Sequence, residues 1–244
     1  MVLREELSEG IVAITLNRPE SLNALSPALF SELNQIVTEL SKQTDSVGCV
    51  ILRGAGRCFS AGNDLKAVRS GVKAKEKFFQ AKTIDLIEKL PQPTIASVHG
   101  HCLTGALELA LACDLMITSE SANLADTHGK WGMVPGWGMS VRLPRRVGLL
   151  KAKEMMFTGM SINGLQAVEI GLSSQCVADD HLKVSTLELA ESIVKNSWHT
   201  NFADKKLFLD NENHFHDASL KMEREQSASV ASDMHERVKQ GFKS

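Results

Sequence analysis

The sequence is poor in the features that usually betray a compartment or a partner. No apolar run approaches the ~20 residues needed to span a bilayer. The first ten residues, MVLREELSEG, carry acids where a secretory leader needs basic and then apolar residues. Charge of neither sign dominates, because 27 Lys and Arg against 29 Asp and Glu leave a formal net charge of −2. That balance excludes the basic footprint of a nucleic-acid binder or an anionic-membrane binder. The five cysteines (Cys49, Cys58, Cys102, Cys113 and Cys176) are odd in number, scattered and mostly set in apolar stretches. They read as buried free thiols of a reducing compartment, not as a disulfide framework or a zinc site. Proline- or serine-rich linkers and low-complexity tracts are missing too. The expectation is a soluble cytoplasmic chain of 244 residues, without metal, long enough for one large domain or a core with an appendage.

Short alternating runs at residues 3–7 and 11–16, separated by Ser8-Glu9-Gly10, predict a hairpin. Ser26 before Pro27 is a helix start, and Phe30, Leu33, Val37 and Leu40 follow at helical spacing through about Lys42. Residues 49–52 predict a buried strand, and the glycine-rich stretch 53–65 an irregular loop. A helix is expected over 74–90 with Phe78, Ile84, Ile87 and Leu90 inward, ended by Pro91 and Pro93. Strands follow at 94–98 and 115–118, with a short extended piece at 122–125. Residues 126–138, DTHGKWGMVPGWG, are glycine-rich and irregular, as loops that carry sites tend to be. Helices at 140–146, 149–157 and 165–170, a strand at 175–178 and a helix at 181–195 complete the pattern. The charged remainder reads as helical, broken near 210–214. Alternation of strands and helices through Ala178, then helices only, argues for an α/β core with a helical tail.

Several catalytic signatures fail. Gly54-Ala55-Gly56 follows a strand, but Phe59 occupies the third glycine position of a dinucleotide fingerprint. Neither a nucleophile elbow, nor a zincin motif, nor a P-loop occurs. His214 and His216 lie in a polar stretch without companion ligands. Trp131 and Trp137 sit beside glycines and suit packing or a pocket wall.

The stretch HGHCLTGALELALACD, residues 99–114, holds the one suggestive charge. Gly105 opens an apolar helical run in which Glu108 is the sole charged member. A carboxylate carried inside must be paired, hydrogen-bonded or protonated, so Glu108 is either an acid/base or a structural glutamate. The first N–H groups of that helix lack intrahelical acceptors, and the turn Ser60-Ala61-Gly62-Asn63-Asp64 can leave another amide unpaired. Two such donors on one carbonyl oxygen make an oxyanion hole. Glu108, three residues after Gly105, leans back towards it. Amides of Asn63 and Gly105 with Glu108 alongside would suit chemistry α or β to a carbonyl.

At this point the sequence resembles a known family. FSAGNDLK (59–66), HGHCLTGALELALACDL (99–115) and GMVPGWGMSVRLPRRVG (132–148) stand in the order and spacing of the crotonase, or enoyl-CoA hydratase/isomerase, superfamily. NRPESLNALS (17–26) and FTGMSINGLQAVEIGLSSQCV (157–177) extend the likeness over almost the whole chain. The resemblance implies a ββα spiral core over 1–190 and a C-terminal helical trimerisation segment over 191–244. It implies a homo-oligomer (trimer or dimer of trimers) acting on an acyl-CoA thioester, with no cofactor beyond the CoA of the substrate. By motif position the oxyanion amides are those of Asn63 and Gly105. Substrate and CoA contacts fall on Leu22, Ala24, Ala61, Gly62, Asp64, Leu65, Lys66, Thr104, Thr127, Pro135 and Gly136. The loop 66–77 borders the acyl pocket, and the helix from about Ala218 makes subunit contacts.

The sequence departs from the family at one decisive place. Family hydratases carry two glutamates, the first matching Glu108 and the second following a proline. Counting back from Pro135-Gly136, that pair falls on Thr127-His128, so a histidine stands where the second carboxylate belongs. Thr104 and Ala106 likewise replace glycines around Gly105. His128 is therefore either a replacement proton carrier, with Asp126 two residues away a candidate to orient its ring, or a lining residue. The leading expectation is a 2-enoyl-CoA hydratase with Glu108 and His128 catalytic. A Δ3,Δ2-enoyl-CoA isomerase, another acyl-CoA reaction on this fold, and an inactive acyl-CoA-binding protein are the alternatives.

Overall fold

The computed structural model describes residues 1–70 and 75–211. Strands β1 (Val2–Ser8) and β2 (Gly10–Leu16) form the expected antiparallel hairpin. Helix α1 (Pro27–Leu40) begins at its predicted cap, where Ser26 Oγ accepts the Leu29 N–H at 3.2 Å. It turns Leu29, Phe30, Leu33, Val37 and Leu40 inward. There follow β3 (Val47–Gly54), α2 (Leu65–Arg69), α3 (Phe79–Glu88), β4 (Thr94–Val98), β5 (His101–Leu103) and α4 (Gly105–Leu111). The chain continues through β6 (Leu115–Ser119), β7 (Asn123–Ala125), α5 (Met139–Val147), α6 (Leu149–Thr158) and β8 (Ser161–Ile162). It then runs through α7 (Gly164–Glu169), β9 (Gln175–Val177), α8 (Leu182–Val194) and α9 (Trp198–Asn211).

Six strands make one sheet in the order β1-β2-β3-β4-β6-β9, parallel from β2 onward, and β5-β7-β8 make a smaller one. The chain alternates between them: β4 lies in the large sheet and β5 in the small, β6 in the large and β7 in the small. Each strand pair is followed by helix, which is the ββα winding implied by the resemblance. Both faces of the large sheet are covered, so β2 is buried along its whole length. Val12, Ile14, Leu16, Val50 and Leu52 face α1, α3 and α4. Ile11, Ala13, Cys49, Ile51, Ile95 and Ile117 face α8. Helix α9 is anchored by Lys205, whose Nζ donates to Gln92 O and Asp114 Oδ2 at 3.0 and 2.7 Å.

Three local expectations change. The helix expected from residue 74 begins at Phe79, because Phe78 takes a left-handed φ of +62° and ends up 63 % exposed. Phe79 enters the core in its place, with Thr83, Ile84 and Ile87 on the same face. The loop after Asp64 opens with α2, whose start is capped by Asp64 Oδ1 accepting the Lys66 and Ala67 N–H groups, both at 3.1 Å. Strands β5 and β8, three and two residues long, are too short to show a period. The helix expected from Ala218 and the residues His214 and His216 lie outside the described residues. Among the described residues no helix is long and apolar enough to cross a membrane. Likewise, no group of three His, Cys, Asp or Glu could hold a metal ion.

Candidate active site

A cavity of about 840 Å³ opens where the two sheets' loops meet. Its floor is built by interlocking turns. Leu22 and Asn23 both adopt positive φ, +52° and +53°, which is costly for side-chain-bearing residues. The buried Asn23 holds them there. Its Oδ1 accepts the Arg18 N–H, and its Nδ2 donates to Ala55 O and Cys58 O. The segment then zips to the next turn through Ala61 N–H to Leu22 O and Leu25 N–H to Gly62 O, at 2.9 and 2.8 Å. Ser60 Oγ donates to Asn23 O and accepts the Gly62 N–H.

These contacts bring Asn63 to Gly105. At Gly62 (φ +93°) a Cβ would lie 2.5 Å from Leu103 O and 3.5 Å from Gly105 N, so only glycine lets the turns approach. Neither the Asn63 nor the Gly105 N–H has an acceptor among the described residues. Both residues line the cavity. Thr104, before Gly105, sits at φ +55°, ψ −111°, a region that β-branched residues avoid. It is held there on several sides. Its N–H donates to Ala125 O at 2.8 Å, its Oγ1 accepts the Thr127 N–H at 3.2 Å, and its hydroxyl pairs with that of Thr127.

Glu108 is 1 % exposed and also reaches the cavity. Its Oε1 accepts the N–H groups of Trp137 and Met139 at 2.8 and 3.0 Å. Burial pushes its carboxyl above the ordinary 4.5, with the two amides pulling the other way. Its Oε2 faces His128 Nε2 at 3.6 Å, too far for a direct hydrogen bond. His128 Nδ1 lies 2.6 Å from Asp126 Oδ1, which also accepts the His128 backbone N–H at 3.0 Å. With Nδ1–H donating to the carboxylate, neutral His128 presents Nε2 as a base towards Glu108. Asp126, His128 and Glu108 thus form a buried row.

A family model described as enoyl-CoA hydratase/isomerase matches residues 6–244. The chain belongs to the enoyl-CoA hydratase/isomerase family. An Arabidopsis thaliana protein named as a peroxisomal enoyl-CoA hydratase is 36 % identical over 189 residues, 78 % of this chain and 71 % of its own length. A Bacillus subtilis protein named as an enoyl-CoA hydratase/isomerase is 40 % identical over 196 residues, 78 % of this chain and 74 % of its own. The crystal structure of an enoyl-CoA hydratase from Bacillus anthracis superposes with a TM-score of 0.92 at 34 % identity, covering 99 % of this chain and 95 % of that one.

Within this enoyl-CoA hydratase/isomerase family member, the positions singled out by motif converge. Leu22, Ala24, Ala61, Asn63, Asp64, Leu65, Lys66, Thr104, Gly105, Glu108, Thr127, His128 and Gly136 all line the cavity. Gly62 and Pro135 are not part of its lining. Asp64 is committed to Arg18 Nη1 at 2.9 Å and to capping α2, and the Arg18 and α2 contacts hold its carboxyl below the usual range against the opposing effect of burial. Arg18, Arg57, Lys130, Met133 and Val134 line the cavity without having been expected there. Trp137 and Trp131 both form wall. The backbone amides that hold Glu108 carry no signal in a sequence; only the glycines around Trp137 hint at a tight turn.

Proposed function

We propose that this family member is an enoyl-CoA hydratase, adding water across the double bond of a 2-enoyl-CoA thioester. One observation carries the reading: Glu108 Oε2 and His128 Nε2 face each other in the cavity that is also lined by Asn63 and Gly105, whose amides have no acceptor among the described residues. The thioester oxygen sits between the Asn63 and Gly105 N–H groups, which stabilise the negative charge that develops there as Cβ is attacked. The Glu108–His128 pair holds one proton, drawn on Glu108 because burial favours its neutral carboxyl, which leaves His128 Nε2 as the facing base. The member without it takes a proton from water as oxygen bonds to Cβ. The shared proton goes to Cα as the enolate collapses. Water supplies both the hydroxyl and the replacement proton, so the pair ends as it began.

Arg18, Arg57, Lys66 and Lys130 in the cavity lining suit the phosphates of CoA, and Trp137 and Met133 suit the acyl chain. Leu22 and Ala24 of the lining are assigned to CoA contacts, and Thr104 and Thr127 support the oxyanion amide. Residues 1–190 form the acyl-CoA-binding core in this reading, and 191–244 mediate trimers or dimers of trimers. The reaction as drawn closes with substrate and water alone, so no further cofactor is proposed. Five free cysteines, four of them buried, support a reducing location, proposed as the cytoplasm.

The test is incubation with crotonyl-CoA and with a 3-enoyl-CoA in ¹⁸O-labelled water. Hydration places ¹⁸O at Cβ of the first. An unchanged crotonyl-CoA with conversion of the 3-enoyl thioester would replace hydratase by isomerase. Binding without turnover of either would leave a binding protein.

A further inference from the structure

We propose that Arg142 is a positioning residue for this site: it holds the turn whose two amides fix Glu108. The proposal rests on the reading of Glu108 as a proton-transfer group. Arg142 lies on α5, 7 % exposed, and spends its guanidinium on three partners. Its Nε and Nη2 donate to Glu88 Oε1 and Oε2 at 2.7 and 2.6 Å, a two-point fork. Nη2 also reaches Asp85 Oδ1 at 2.7 Å. Nη1 donates to the carbonyl of Trp137 at 2.7 Å.

The first two contacts alone describe an ordinary clamp between α5 and α3. The third does not. Trp137 gives its carbonyl to Arg142 while its own N–H goes to Glu108, and the second amide on Glu108 comes from Met139, two residues on. Between them Gly138 adopts φ +114°, and a Cβ there would lie 2.1 Å from Arg142 Nη1. The turn is therefore shaped around the guanidinium on one side and the carboxylate on the other. A lysine offers a point charge and cannot hold Glu88 in a fork while reaching Trp137 O. Without Arg142 the Trp137 carbonyl loses its buried donor and the turn is free to rotate. Glu108 then loses the amides that oppose its burial, and its Oε2 loses its aim at His128. The charged and titratable groups involved are Glu88 and Asp85 on α3, Asp126 and His128 across the cavity, and Glu108 itself on α4.

The experiment compares Arg142→Gln and Arg142→Lys with wild type in 2-enoyl-CoA hydration across pH, with thermal melting alongside. The expected result for Arg142→Gln is a kcat lower by about tenfold to a hundredfold, the scale of a ~1 Å misplacement. KM stays near wild type, and the pH–rate profile moves to higher pH as the Glu108 carboxyl is held less firmly ionised. Arg142→Lys recovers only part of kcat. A folded Arg142→Gln with wild-type kcat and an unmoved profile would overturn the proposal, as would a kcat loss with no displacement in pH. If Arg142→Gln fails to fold, Asp85→Asn loosens the same clamp from the half-exposed side. It should give a smaller displacement in the same direction, and an unmoved profile there overturns the proposal. Glu108→Gln separates the two readings. Full hydration in that variant sinks the role of Glu108, whereas a dead Glu108→Gln beside a normal Arg142→Gln sinks only the role of Arg142.

Discussion

Substituting Gly105 by Ala probes the tightest contact in the site. A Cβ on Gly105 would lie 2.5 and 3.0 Å from two ring carbons of Trp137, the first closer than real Cβ contacts come and the second tighter than most. Phe30, buried and packed edge-to-face with ring centroids 5.1 Å apart, blocks one side of the indole, so the ring can retreat only into the cavity. Its own backbone N–H is the 2.8 Å donor to Glu108. Relief must therefore displace the oxyanion turn, the Glu108 turn or the indole itself into the substrate cavity. Overpacking of this kind costs about 1–3 kcal/mol, and a ~1 Å shift of a reacting group costs about a hundredfold in rate. Both losses are expected for Gly105→Ala, in denaturant melts and in 2-enoyl-CoA hydration. In a Trp137→Ala background the ring is gone, while the residue 137 amide that holds Glu108 remains. Alanine is a good helix former at the start of α4, so the same substitution should then cost little. The favourable coupling between the two substitutions is expected at about 1–3 kcal/mol. Equal losses from Gly105→Ala in both backgrounds would refute the clash as the cause.

Two further perturbations separate strain and charge in the same site. Thr104→Gly removes about 1–3 kcal/mol of backbone strain along with a hydroxyl whose bonds contribute a similar amount, so its stability should stay within about 1 kcal/mol of wild type. Thr104→Val keeps the strain, removes only the hydroxyl and should lose about 1–3 kcal/mol; a glycine variant less stable than the valine variant would contradict this. For Glu108 the native carboxyl is raised above 4.5 by burial, so the native state binds this proton more tightly than the unfolded chain. Its stabilising contribution is present below about pH 4.5 and is lost as pH rises through the raised native value. Glu108→Gln should therefore melt higher than wild type near pH 7, with the gap closing towards pH 4.5. A gap that widens on acidification would show that Glu108 is ionised at no cost.

The parts of this molecule that could be read from its residues are those with a pattern. The Ser26-Pro27 start and the apolar face of α1 follow from capping and period, and Glu108 stands out as one charge in an apolar run. His128 is visible only by counting back from Pro135-Gly136. Its tie to Asp126 needs the tight turn that brings both the ring and the backbone N–H of His128 onto one oxygen. The Asn63 and Gly105 amides were marked by a glycine turn and a helix start, but which amides of an irregular turn reach Glu108 has no such mark, so those of Trp137 and Met139 were not legible. Arg142 was hidden for another reason, since its partners Asp85 and Glu88 lie 57 and 54 residues away. The one-residue error at Phe78 and Phe79 has a local cause: two adjacent phenylalanines fit the helical period almost equally, and the left-handed turn at Phe78 decides between them.

The central claim is that His128 does the work of the missing second glutamate in concert with Glu108. Its most direct test is the rate of crotonyl-CoA hydration by His128→Ala, read as loss of enoyl absorbance at saturating substrate. Loss of a general acid or base predicts a fall of about 10²–10⁴-fold, with crotonyl-CoA binding retained because the Asn63 and Gly105 amides are untouched. A wild-type rate in a folded His128→Ala would contradict the account.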